Sequence, residues 1–169
     1  MSAHRRNLIV SILFTLFGGP GIALIYVPFA ITRFRIPAGQ PLGHRFLAAA
    51  LIIAGLTPAL ESVRRFIYVG RGTLIPTVPT EHLVVSGLYR YVRNPMYVGV
   101  MVALAGEATL FWSRGLLVEW ALVCAGFNLV VRLYEEPTLT RRHPEEYPLF
   151  KRHVPRWFPR LTPWNGSEN

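Results

Sequence analysis

"GLYRYVRNPMYVGVMVALAGEATLFW", residues 87–112, is the stretch that decides how the rest of this chain is read. Its first half is crowded with arginine, tyrosine, asparagine and proline. Its second half runs apolar from Tyr97 to Trp112 with a single acid, Glu107. Pro95 suits the first turn of a helix, where its missing N–H leaves no bond unmade. The junction predicts a helix with a polar mouth and a body that belongs in an apolar medium.

Three further runs, 8–32, 45–67 and 115–134, have the same character. Crossing a bilayer takes about 20 mostly apolar residues in helix. Of the 169 residues, 51% are apolar and 16% charged, a low charged fraction for a soluble domain. The expectation is an all-α integral membrane protein with about four transmembrane helices, a cytoplasmic-side loop and an interfacial C-terminal helical tail. One membrane domain, 1–169, divides into an N-terminal helix pair, 8–67, and a second half, 68–160. A cleaved signal peptide fits the first run poorly, because the run is too long and Gly18, Gly19, Pro20 and Gly21 interrupt it. They predict a kinked or broken helix instead.

The formal charge is +9, and 14 of the 18 Lys and Arg residues fall in the N-terminus, the second loop and the tail. Basic loops stay cytoplasmic, so both termini are expected there. The arginines flank apolar segments, which points to anionic lipid headgroups rather than nucleic acid. The one cysteine, Cys124, cannot form an internal disulfide, and the five histidines lack metal-ligand spacing.

Within the apolar runs the polar residues carry the information, since such groups seldom face hydrocarbon. Gly99, Ala103 and Gly106 form a small-residue stripe that lets helices approach closely. Glu107 follows it, either as a functional acid or as a neutral one bonded to a neighbouring helix. At 100° per residue, Asn128, Arg132 and Glu135 share one face of the last run, as a pocket wall or as an interfacial anchor. The loop before the third run is punctuated by Gly70, Gly72, Pro76, Pro79 and Gly87, yet its aliphatic residues favour order. The tail mixes cations, aromatics and prolines, a pattern suited to headgroup depth. Residues 81–97 and 128–136 return to the same side of the membrane and can form one site for a zwitterionic, aromatic-containing ligand and an apolar co-substrate.

"LVVSGLYRYVRNPMYVG" (83–99), followed one hairpin later by "YEEPTLTRRHPEEYPLFKRHVPRWFP" (134–159), resembles the integral-membrane methyltransferases typified by isoprenylcysteine carboxyl methyltransferase and the phospholipid N-methyltransferases. The resemblance covers roughly residues 68–160. It implies S-adenosylmethionine as cofactor, held between the loop before the third helix and the tail after the fourth. It further implies cofactor contacts at Glu81, His82, Leu83, Val84, Tyr89, Asn94, Pro95, Met96, Tyr97 and Glu135, and a Gly-x-Gly element at Gly70 and Gly72. Glu135 would pair with the cofactor's ammonium, and Tyr89 or Tyr97 would line it.

For the chemistry, Arg132 is the candidate for orienting an anionic substrate group, with Glu136 or Glu107 as the base that an amine acceptor requires. Two departures touch the substrate. Arg93-Asn94-Pro95 stands where the prenylcysteine enzymes have Arg-His-Pro, and Val131 stands where they have an arginine. A phospholipid amine and a prenylcysteine-like carboxylate both stay open as acceptors, and the oligomeric state is open too. A nicotinamide-dependent reductase of the steroid-reductase type and a non-catalytic membrane scaffold are the competing readings.

Overall fold

The computed structural model describes residues 17–68 and 83–166. Those residues are helical with no strand. Helix α1 spans Gly19–Thr32, α2 Leu42–Tyr68, α3 Pro95–Leu110, α4 Arg114–Arg142 and α5 Glu146–His153. Of the four apolar runs, those of α2 and α4 form helices long and apolar enough to cross a membrane, with mean hydropathy 1.8 over Leu42–Arg65 and Arg114–Arg142. The other two give the shorter apolar helices α1 and α3.

Close approach of α2 and α3 organises the bundle. Gly99, Ala103 and Gly106 lie against Gly55, Ala59, Ile52 and Ala48, so closely that a methyl on Gly55 would collide with the backbone of Gly99 and Ala103. Absent side chains let the two backbones meet, and van der Waals contact then holds them where no hydrophobic drive exists between helices in lipid. Ala23 of α1, Ala59 of α2 and Val100 and Leu104 of α3 make a common core, closed by Val123 and Phe127 of α4. Large apolar residues of α4 point outward, with Leu122 67% and Leu133 75% exposed, as a lipid-facing surface requires.

Two helices contain a π turn, Ile22–Tyr26 in α1 and Val131–Glu135 in α4. Each ends two residues before a proline, Pro28 or Pro137. Proline has no N–H and its ring crowds the carbonyl four residues back, so the helix widens by one residue just ahead of it. The helix is broken at Gly18, whose extended backbone separates Phe17 from α1, as the Gly18–Gly21 stretch predicts; α1 then runs through Pro20 and Gly21 and widens ahead of Pro28.

At one end of the bundle, Gln40 Nε2 donates to the Thr109 carbonyl at 2.9 Å, and Phe34 and Phe111 meet at 5.9 Å between ring centroids. Ser113 caps α4 there by accepting the Leu116 N–H. The opposite end gathers the C-termini of α2 and α4, the N-terminus of α3 and the tail.

Part of that tail packs inward, while Phe158 and Leu161 stand exposed. Tyr147, Phe150, Val154 and Trp164 are buried together, with Leu83, Val85, Leu139 and Leu149 around them. Three backbone bonds pin the tail to the segment before α3: Arg93 N–H to Pro155, Arg160 N–H to Tyr91 and Trp164 N–H to Arg90, each 2.9–3.0 Å. Tyr147's hydroxyl is pushed above its ordinary range, first by burial and then by the nearby Glu136 charge.

Candidate functional site

The polar mouth of α3 meets the end of α4. Tyr97, in the first turn of α3, donates its hydroxyl to Glu135 Oε1, and its ring stacks on Phe127 at 4.3 Å. Both partners sit on α4 and are two turns apart, which fixes the tyrosine in position and orientation. Tyr89, on the 3-10 turn Gly87–Arg90, is 6% exposed and lies within electrostatic reach of Glu135 and hydrogen-bonding reach of Ser62. Burial, above all, pushes its phenol well above the ordinary value, so it stays protonated.

Arg65 of α2 positions that turn. Its Nε donates to Glu61 at 2.7 Å and its Nη1 to Ser86 Oγ at 2.9 Å. Its guanidinium fills the space where a Cβ on residue 87 would stand, and φ there is +54°. Only glycine meets both demands.

One residue beyond Glu135 the environment changes completely. Glu136 is buried, and its Oε1 takes Arg93 Nη1 at 2.9 Å and Arg156 Nε at 2.6 Å. Its Oε2 takes Arg156 Nη2 at 3.0 Å and Lys151 Nζ at 3.2 Å. The hydrogen bond to Glu136 raises the Arg156 guanidinium further above its ordinary value, so it remains a cation. This cluster ties the tail to both α3 and α4.

The remaining expected site residues distribute as follows. Asn94 stands just before α3 and spends its amide on the Arg156 carbonyl at 3.2 Å. Pro95 is buried and Met96 half-buried. Val84 is buried, whereas Leu83 lines a cavity of about 620 Å³ with Ser86, Arg90, Glu146, Trp164 and Asn165. That cavity does not include Tyr97 or Glu135. Gly70, Gly72, Glu81 and His82 lie outside the described residues.

The three residues expected to carry the chemistry are placed as follows. Arg132 does not share the face of Glu135: it is exposed, and Val131 is the buried residue of that turn. The π turn is the reason, because it widens the helix between the two positions and defeats a count at 100° per residue. Glu136 has both of its oxygens accepting from cations. Glu107 lies twelve residues along α3 from Pro95, about 18 Å at 1.5 Å per residue, toward the other end of the bundle and within electrostatic reach of Glu119.

Arg93, Lys151 and Arg156 escaped the sequence reading as site residues, because cations flanking an apolar run or lying in the tail suit lipid phosphates equally well. For Arg132 and Glu107 a signal existed: Pro137 warns of an irregular turn before it, and helical rise alone separates Glu107 from the α3 mouth.

A helical bundle with two bilayer-length apolar helices and a half-buried carboxylate at the mouth of a third has the character of a membrane protein. Residues 44–146 match the family model "Phospholipid methyltransferase", and the chain belongs to that family. Family members are methyltransferases and generally use S-adenosylmethionine. Neither the curated proteins nor the solved structures provide a match to this chain.

Proposed function

We propose that this protein transfers the methyl group of S-adenosylmethionine to a lipid or lipophilic acceptor at the cytoplasmic face of a membrane. The acceptor is a phospholipid amine or the carboxylate of a prenylcysteine-like compound. In this reading the chain is one membrane domain crossing four times with both termini cytoplasmic, an N-terminal helix pair, 8–67, supporting a cofactor-binding half, 68–160.

The observation that carries the reading is the Tyr97–Glu135 contact. It joins the mouth of α3 to the end of α4, the two segments whose motifs match the family. With Oε1 occupied by the tyrosine, Glu135 keeps Oε2 for the cofactor's ammonium, and the stacked Tyr97 and Phe127 rings offer an aromatic wall. The residues therefore fit the cofactor. When bound, it supplies an electrophilic methyl on a sulfonium. The protein's contribution is alignment: holding the acceptor in line with that methyl and keeping water out. Tyr89, kept neutral by burial, lends the site a polar group without a charge.

Incubating membranes that contain the protein with methyl-labelled S-adenosylmethionine tests this. Label appearing in phospholipid, or in a base-labile ester, identifies the acceptor class. No transfer into any lipophilic fraction, with the protein inserted and folded, rejects the proposal.

A further inference from the structure

Two large apolar side chains of the tail, Phe158 at 83% exposure and Leu161 at 99%, touch almost nothing in the chain. The segment that carries them is nevertheless held firmly. Arg93 N–H donates to the Pro155 carbonyl at 2.9 Å, Asn94 Nδ2 to the Arg156 carbonyl at 3.2 Å, and Arg160 N–H to the Tyr91 carbonyl at 3.0 Å. Pro155 and Pro159 each fix φ along it. Phe158 and Leu161 therefore project from a strap fastened to residues 91–94, the turn that opens α3.

That attachment sets a depth. Leu133 of α4 is 75% exposed on the lipid-facing surface, and Glu135, two residues on, takes the Tyr97 hydroxyl from the first turn of α3. The strap thus lies at the level where the apolar surface of α4 gives way to Arg141 and Arg142, which is headgroup depth in a bilayer. Charge points the same way. Residues 141–161 hold six Lys and Arg against two Glu. Lys151 and Arg156 are engaged by Glu136, but Arg141, Arg142 and Arg152 stay exposed.

We propose that Phe158 and Leu161 are seated in the anionic lipid leaflet at this end of the bundle and hold the tail against the mouth of α3. Apolar side chains and exposed cations are the two signals that interfacial binding combines. Because α2 and α4 already fix the chain in the membrane, seating is intramolecular and needs no strong attraction of its own. A second copy of the chain is a poorer occupant, since like charges would then face one another across the contact. The inference goes beyond the methyltransferase reading and rests only on the membrane placement of α2 and α4.

The test uses the full chain with Cys124→Ala and a single nitroxide. The label sits on Leu161→Cys, on Leu122→Cys as the lipid-facing reference, or on Glu145→Cys as the aqueous one, both reference positions being exposed. Each protein is reconstituted in phosphatidylcholine vesicles with or without about 30% phosphatidylglycerol. Collision rates with oxygen, which favours hydrocarbon, and with a nickel chelate, which stays in water, report depth. In the anionic vesicles the oxygen-to-nickel ratio at 161 exceeds that at 145 by about tenfold, and it falls when the vesicles are neutral. A ratio at 161 equal to that at 145 overturns the proposal, as does one that lipid charge leaves unchanged. Spin–spin broadening at 161 assigns the surface to a second copy, and shielding from both colliders assigns it to a protein contact; either result overturns the proposal. A nickel-accessible label at 122 removes the membrane placement, and the proposal with it. In a second arm, Phe158→Ser/Leu161→Ser frees the strap, so protease cleavage within residues 155–164 becomes about tenfold faster than in the parent in anionic vesicles. Equal rates for variant and parent there show that the two side chains hold nothing in place.

Discussion

Glu135 and Glu136 are consecutive, yet Glu135 accepts a hydrogen bond from Tyr97 of α3 while Glu136 is locked between Arg93, Lys151 and Arg156. One acid faces the junction of the helices and the other holds the tail. The two adjacent glutamates are thus separate devices. Their substitutions have different consequences.

Glu135→Gln keeps the shape and removes the charge. The variant inserts and melts like the parent, and its affinity for S-adenosylhomocysteine falls at least about tenfold, the loss of one partly buried charge pair. Isothermal titration on purified protein gives the answer, and unchanged affinity removes Glu135 from the cofactor's contacts.

Glu136→Gln acts on stability instead. It strips the counter-charge from Arg93, which is more than nine-tenths buried, and breaking such a pair costs about 3–5 kcal/mol. A lower thermal midpoint and earlier proteolytic clipping within residues 143–164 are expected. A variant that resists protease like the parent shows that Glu136 does not hold the tail in place.

Tyr97→Phe retains the stack on Phe127 and loses only the hydroxyl that orients Glu135. A bond to a charged acceptor contributes about 1.5–3 kcal/mol. The expected result is a higher KM for the cofactor, about tenfold, with a smaller change in kcat. Equal KM values for the two proteins leave Tyr97 a purely structural residue.

Arg132→Gln and Glu107→Gln should each leave kcat/KM for both substrates within about twofold, because one side chain is exposed on the outer face of α4 and the other lies about 18 Å along α3 from its mouth. Steady-state assays decide it. A hundredfold loss in either variant places that residue back in the reaction.

Gly99→Val probes the fold. Its side chain would meet the Gly55 carbonyl and the Ala59 N–H across the α2–α3 contact. Overpacking of this kind costs about 1–3 kcal/mol or more where backbone must move. Thermal unfolding in detergent reads the loss directly.

Much of this protein was legible in its residues. Apolar runs of bilayer length, Pro95 at a helix start and the small-residue stripe at 99, 103 and 106 are local patterns, and each depends only on helical geometry and on what lipid tolerates. The meeting of the Asn94 and Glu135 neighbourhoods followed too, because a helical hairpin returns the chain to the depth where it began. Gly55, the partner of the stripe, was not legible, since an isolated glycine in an apolar run announces no partner.

What tertiary structure alone decided is which way each polar group faces. Pro137 widens the turn ahead of it, so Val131 turns inward and Arg132 outward, against the count for a regular helix. Tail cations that suit lipid phosphates in sequence are instead drawn onto Glu136 by a fold that brings residues 93, 136, 151 and 156 together. Sequence determines the period of a helix and the depth of its residues. Pairings between distant segments are set by packing, and so is the choice of which glutamate is left for a ligand.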